Sequence, residues 1–198
     1  MQRFALALIL AFFPLFAAGT ASACGMYRPV TEADLMFAED HMKKGDSALA
    51  QKELRSAVRH YNRAMSAPGK HTVRAKAALK AGQVYARLGR SKVAVRRFQR
   101  AIRISPLFAE GHLTLGFALL ESDAKKAIVH LEGALAASAQ GTADAHAGLA
   151  IAYARAGEAK KAKTHLQNAR LNGASVERII AAEKVIEQGV LTAIADHS

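Results

Sequence analysis

Tryptophan is absent from this chain of 198 residues, cysteine occurs once, and there are only four prolines. A single cysteine excludes a framework of internal disulfides. Few prolines and abundant alanine favour helices, because proline lacks the N–H that a helix interior needs and alanine loses no side-chain entropy in a helix. With 51% hydrophobic residues, the chain can bury a core of its own. We therefore expect an all-α protein.

The motifs that bind common cofactors are missing as well. The sequence has neither a Gly-x-Gly-x-x-Gly loop nor a Gly-Lys-Ser/Thr loop for phosphate, and neither His-Glu-x-x-His nor Cys-x-x-Cys for a metal. We predict no cofactor, no metal and no catalytic residues. An enzyme whose site has an unfamiliar pattern is kept as an alternative.

Acidic residues are scarce relative to basic ones. The chain has 16 Asp and Glu against 28 Lys and Arg, which gives a net charge of +12. Such an excess favours an anionic partner, and for an exported protein we expect lipid headgroups, cell-wall polymers or an acidic protein rather than nucleic acid. The alternative is a solvated surface without a partner.

Residues 1–23 are typical of an export signal. Arg3 precedes an apolar run from Phe4 to Ala18, and Ala21-Ser22-Ala23 matches a cleavage site of small residues. A transmembrane anchor would need a longer apolar run. Cys24 follows directly, so it is a candidate lipidation site of an outer-membrane lipoprotein, although an ordinary signal of a periplasmic or secreted protein explains the same residues. Residues 24–30 are predicted to form a tether.

The segment from Ala75 to Pro106 contains small and large residues at the spacing of a helical hairpin. Gly82 and Ala94 allow two helices to approach closely, Tyr85 and Phe98 fill the space around them, and Gly89 serves the turn. This pattern resembles the tetratricopeptide repeat, with Ala78 in place of the first Trp of the family pattern. The resemblance implies an α-α superhelix, a solenoid of stacked hairpins.

The same register extends to other parts of the chain. Gly116 and Ala150 follow Gly82 at intervals of 34 residues. We predict about four hairpins in residues 31–174, with starts near 31, 75, 109 and 143. In the first hairpin the register places Ala38 at the crossing, Gly45 at the turn, and Ala50, Leu54 and Ala57 on a lengthened second helix.

Residues 175–198 are predicted to be a capping helix and a tail. The expected apolar stripe is Val176, Ile179, Ile180 and Val185, and the tail is expected to fray from Gly189 unless its apolar residues continue the packing. A solenoid needs such a helix because its last hydrophobic face must be covered.

The resemblance also implies a concave groove, lined by the first helices, that binds an extended peptide or a partner helix. Predicted partner-binding residues are Gln83, Arg87, Leu113, Phe117, Leu120, Ile151 and Arg155. We interpret four of them, Leu113, Phe117, Leu120 and Ile151, as an apolar contact patch. The alternative is that a neighbouring helix covers these side chains.

A second candidate surface is basic. It comprises Arg90, Lys92, Arg96, Arg97, Arg100 and Arg103 on the second helix of the Ala75 hairpin. Four residues of the preceding second helix, Lys52, Arg55, Arg59 and Arg63, are expected beside it. Such a surface suits anionic lipid headgroups.

Four histidines recur with the repeat. His112 and His146 lie 34 residues apart, and His130 and His165 occupy matching positions on second helices. A metal ladder is one interpretation. We favour the other, partly buried packing residues repeated by duplication, because no second ligand lies four residues from any of them.

The predicted function is a non-catalytic scaffold or adaptor that binds other proteins in the bacterial cell envelope. Two alternatives remain. One is a lipoprotein that assists assembly of an outer-membrane secretion, pilus or polysaccharide-export complex, and the other is a module that binds an anionic envelope polymer or lipid.

Overall fold

A computed structural model describes residues 29–137 and 142–195. The export signal, Cys24 and most of the predicted tether lie outside the described residues. The described part is built from helices without strands, and their bounds are α1 Glu32–Ala50, α2 Leu54–Ser66, α3 His71–Arg87, α4 Ser91–Ile104, α5 Ala109–Leu119, α6 Ala124–Ala137, α7 Thr142–Arg155, α8 Ala159–Leu171 and α9 Val176–Ala195. None of these helices is long and apolar enough to cross a membrane.

The helices form four consecutive hairpins, α1 with α2, α3 with α4, α5 with α6 and α7 with α8. Each hairpin also packs against the next one along the chain, and α9 packs on α7 and α8. This is the predicted all-α solenoid with a capping helix.

Glycine makes the hairpin crossings possible. Gly82 lies under the buried ring of Phe98, so closely that a Cβ atom on this residue would overlap the ring. Gly116 has the same relation to Leu131, whose Cγ would lie 2.6 Å from an added Cβ. Removing one side chain from the crossing therefore lets a large side chain of the partner helix reach the backbone. The predicted roles of Gly82 and Phe98 are confirmed.

The first hairpin differs from its predicted register. Gly45 is not at a turn but inside α1, buried beneath the ring of Tyr61. The turn lies at Gln51–Glu53, where Lys52 adopts a left-handed conformation with φ 62°. Gly45, and not Ala38, is therefore the counterpart of Gly82, and Ala50 ends the first helix. The predicted lengthening of the second helix is wrong, because α2 has 13 residues, about as many as the 14 of α4.

The capping helix also differs in detail. Val176 and Ile180, predicted to pack, are 65% and 56% exposed, whereas Ala182 and Ile186 are buried. The cause is that α7 and α8 cover only one side of α9, and in the described chain no further helix packs on its other side. The predicted frayed tail is wrong up to Ala195, because α9 continues to that residue.

Candidate functional site

One face of the solenoid is formed by α1, α3, α5, α7 and α9, here called the first-helix face. Each of these helices touches the next one in that series. The opposite face, formed by α2, α4, α6 and α8, is the second-helix face. Within the described residues the backbones of these helices do not approach one another, and a side-chain contact of 3.8 Å from Arg97 Nη1 of α4 to Met65 Sδ of α2 joins two of them. The stack is narrower where the helices touch, so the first-helix face is the concave one.

The chain itself covers the predicted apolar patch. Leu120 and Ile151 are each only 8% exposed, and Leu113 packs against the same core. The half-buried ring of Phe117 carries the guanidinium of Arg178, 4.4 Å from the ring centroid. The prediction of an exposed contact patch is wrong, because neighbouring helices, including α9, close this part of the groove.

Two ion pairs hold the covered part of the groove together. Arg178 donates from Nε to Oδ1 of Asp144 at 3.0 Å and thereby fixes α9 on α7. Arg155 reaches back to the previous hairpin, where it donates to both carboxylate oxygens of Glu121 at 2.5 and 2.6 Å and to the Leu120 carbonyl. Hydrogen bonds from Arg155 lower the pKa of Glu121. Arg155 thus links two hairpins.

Gln83 and Arg87 remain accessible on the first-helix face. Both are exposed on α3, one turn apart, and neither side chain forms a hydrogen bond or an ion pair with another described residue. Beside them Lys80 pairs with Asp46 of α1 at 2.6 Å, so the second hairpin is fastened to the first. Lys76, one turn earlier on α3, is also exposed. At the second hairpin the groove is therefore open and basic.

Basic residues are concentrated on the second helices. The sequences of α2, α4, α6 and α8 contain fourteen Lys and Arg but a single acidic residue, Glu132. The other five helices contain nine basic and ten acidic residues. The net positive charge of the described helices thus comes from the second-helix face.

The predicted basic surface on α4 is divided in two by the structure. Arg96, Arg100 and Arg103 line an open hollow of about 320 Å³, together with Val93, Arg97 and Gln99. Arg90 and Arg97 are placed over the ring of Tyr85, at 5.6 and 5.8 Å from its centroid. These two guanidinium groups therefore pack against α3, and the part of the surface without such a ring contact consists of Lys92, Arg96, Arg100 and Arg103.

A second basic hollow lies on α2. It measures about 450 Å³ and is lined by Lys52, Glu53, Leu54, Arg55, Ser56 and Arg59. The basic character of the second-helix face therefore extends beyond α4.

Six histidines form three pairs, each of which joins the two helices of one hairpin. The Nδ1 atoms are 3.0 Å apart in His41–His60, 3.4 Å apart in His112–His130 and 3.0 Å apart in His146–His165. No group of three or more His, Cys, Asp or Glu side chains suited to a metal occurs within residues 29–137 and 142–195.

The pairing could not be found from i to i+4 spacing, because the partners lie on different helices. The partners are separated by 19, 18 and 19 residues, and this recurring separation is the sequence signal that could have revealed the pairs. The first pair was also hidden by the misplaced register of the first hairpin. With Gly45 at the crossing, His41 takes the same position as His112 and His146, four residues before the crossing residue.

Solved structures with the same architecture are tetratricopeptide-repeat proteins. YrrB, described as a TPR protein with an unusual peptide-binding site, is 19% identical with a TM-score of 0.61, over 77% of this chain and 76% of its own. A tetratricopeptide repeat protein from Parabacteroides merdae is 15% identical with a TM-score of 0.65, over 79% of this chain and 61% of its own. MamA is 21% identical with a TM-score of 0.58, over 78% and 86%.

No model of a protein family matches the sequence, and no relative is found among curated proteins. At identities this low, the structural likeness concerns the fold. The hairpin pairs, their glycine crossings and these comparisons together establish that the chain folds as a tetratricopeptide-repeat solenoid.

Proposed function

We propose that the protein is a non-catalytic scaffold that binds an acidic peptide segment or partner helix on the first-helix face, at the second hairpin. The observation that carries this proposal is that Gln83 and Arg87 are exposed and form no hydrogen bond or ion pair with another described residue, whereas the apolar part of the predicted groove is closed. An arginine fork matches a carboxylate, and a glutamine amide can both donate to and accept from a peptide backbone. YrrB, with its peptide-binding site, supports the use of this fold for such a task.

The proposed location is the bacterial cell envelope, which rests on the signal-like residues 1–23 and on Cys24. Within the envelope, assisting the assembly of a secretion, pilus or polysaccharide-export complex is the specific role that a lipid-anchored scaffold would suit.

The charge distribution favours a second candidate function, the binding of an anionic lipid or polymer to the second-helix face. Arg96, Arg100 and Arg103 face outward around one hollow, and α4 contains no acidic residue that would neutralise them. Each basic side chain near an anionic surface contributes about 1 kcal/mol, so the three together amount to roughly a hundredfold in affinity.

A single set of variants tests both functions. A photo-crosslinking residue at position 83 should capture a protein in intact cells, and Arg87→Glu should reduce that capture about tenfold or more because it reverses the charge that faces the partner. The matched control is Arg96→Gln/Arg100→Gln/Arg103→Gln, which lies on the opposite face and should leave the capture unchanged.

The wild type, Arg87→Glu and the triple variant are then each mixed with vesicles that contain phosphatidylglycerol or only phosphatidylcholine. Binding of the wild type to the anionic vesicles alone, lost in the triple variant and kept in Arg87→Glu, would support the second function. Undiminished capture by Arg87→Glu contradicts the proposed peptide groove, and equal binding to both kinds of vesicle contradicts the anionic surface.

A further inference from the structure

The paired histidines face each other head-on. In His41–His60 and in His146–His165 the ring centroids are 5.2 Å apart while the Nδ1 atoms are 3.0 Å apart, so each Nδ1 lies close to the line that joins the two ring centres. A nitrogen lone pair on one ring then points at the N–H of the other, as a hydrogen bond requires. Two ligands of one metal ion would instead direct their lone pairs at a common point beside that line.

The pairs occupy one structural position in three of the four hairpins. One member precedes the crossing residue by four positions, and the other directly precedes the large side chain that packs there, Tyr61, Leu131 or Leu166. In the remaining hairpin the same positions hold Ala78 and Arg97. The second hairpin is therefore a natural example of this fold without the pair.

The nitrogen atoms that remain unprotonated determine how many protons each pair can bind without losing its hydrogen bond. In the neutral pair one Nδ1–H donates to the bare Nδ1 of the other ring. A first proton can enter at Nε2 of the donor ring, which leaves the bond intact and makes it charge-assisted. A second proton must enter at the accepting Nδ1, where it removes the acceptor and brings two N–H groups and two positive charges face to face.

The surroundings differ from pair to pair. Asp40 and Lys44 of α1 and Arg63 of α2 act on His41. Within the described chain His112 is the one titratable group that acts on His130, and Nε2 of His112 lies 3.0 Å from the Pro106 carbonyl oxygen. At the last pair the ring of Tyr153 stacks on His165, while Glu132 of α6 and Lys161 of α8 act on it with opposite signs. At none of the three pairs do the carboxylates named here outnumber the cations.

We infer that the three imidazole pairs are an acid-sensitive fastening of the solenoid. Each hairpin that contains a pair is held across its two helices at neutral pH and is loosened when both rings become charged. The second hairpin, with Ala78 and Arg97, is not subject to this effect.

The direction in which the histidine pKa values are shifted agrees with this inference. Burial, together with the partner imidazole, lowers the pKa of His41, His130 and His165 below the ordinary value of 6.5, and burial lowers the pKa of His146. Below pH 6.5 these four histidines therefore bind more protons in the unfolded chain than in the folded one. Their contribution to the free energy of unfolding is fully present above that pH and decreases as the pH falls.

Urea unfolding of the full chain at pH 7.5 and pH 5.0 tests the inference. The midpoint should fall on acidification, and the fall should be smaller in His146→Gln/His165→Gln, which keeps a donor and an acceptor across the hairpin but removes one titrating pair. His71→Gln is the matched control, since His71 is exposed on α3 outside every pair. An equal fall in the wild type and the double variant would overturn the inference.

Nitrogen-15 NMR of the wild-type imidazoles decides the matter even if the double variant does not fold. One ring of each pair should carry its proton on Nδ1 at pH 7.5, and each pair should titrate in two separate steps. Six rings that titrate in single steps together with His71 would contradict the proposal. So would Zn²⁺ that raises the unfolding midpoint of the wild type but not of the double variant, because the pair would then be a metal chelate.

Discussion

At the scale of single residues, three of the four helix crossings depend on one missing side chain. Gly82 permits the ring of Phe98 to pack on the backbone of α3, and that ring is 3% exposed. Gly45 beneath Tyr61 and Gly116 beneath Leu131 repeat the arrangement. The small residue and the large one opposite it therefore form one packing unit.

We expect Gly82→Val to lower the free energy of unfolding by about 3 kcal/mol, because the added atoms overlap a ring that has no space to move into. Urea unfolding measures the effect. Combined with Phe98→Ala, the same substitution should cost less than the sum of the two single changes, since the valine then fills the space that the ring leaves. Strict additivity would show that the two residues do not share the crossing.

At the scale of helices, much of the architecture follows from the sequence. The interval of 34 residues between Gly82, Gly116 and Ala150 predicts the hairpins because each is one copy of the same packing unit. Gly45 shows the limit of this reasoning. A glycine can serve a turn by its positive φ or a crossing by its lack of a side chain, and the two uses cannot be distinguished in sequence. The real turn contains no glycine and uses Lys52 instead.

The candidate site was less predictable than the hairpins. Repeat register places Phe117 and Ile151 on the concave face, yet it carries no information on how α9 packs. The covering of Phe117 by Arg178 depends on a contact between residues 61 positions apart, which no local pattern encodes. The histidine partners were missed for the same reason, since their contact joins different helices.

The start of α1 is stabilised by a capping box. Thr31 Oγ1 accepts from the Asp34 N–H at 3.2 Å, and the Asp34 carboxylate accepts from the Thr31 N–H at 3.0 Å. Thr31→Ala should destabilise the first turn by about 1 kcal/mol. Amide hydrogen exchange of that turn should accelerate about fivefold, whereas Thr72→Ala, exposed in the first turn of α3, should leave it unchanged. Unaltered exchange in Thr31→Ala would mean that the box contributes nothing.

At the scale of the whole molecule, the hairpins interact with near neighbours alone among the described helices. Stability in such a stack is approximately a sum of local contributions and interfaces between neighbours. Damage at one end should therefore remain at that end.

Ile186→Asp tests this locality. Ile186 is 7% exposed at the interface of α9, so the charge should detach α9 and accelerate amide exchange there and in α7, with α1 to α4 unaffected. Ile180→Asp is the control, because Ile180 is 56% exposed on the uncovered side of the same helix. Faster exchange in α1 to α4 would show instead that the solenoid opens as one cooperative unit.

The backbones of successive first helices lie close together and those of the second helices do not, and this difference has a mechanical consequence. Spreading α1, α3, α5, α7 and α9 would separate backbones that lie close together, whereas spreading the second helices would break only the side-chain contact between Arg97 and Met65. When the solenoid bends, the first helices on the concave face should therefore keep their spacing, while the second helices move apart or together. Bending changes the spacing of the positive charges on the convex side far more than the spacing of Gln83 and Arg87.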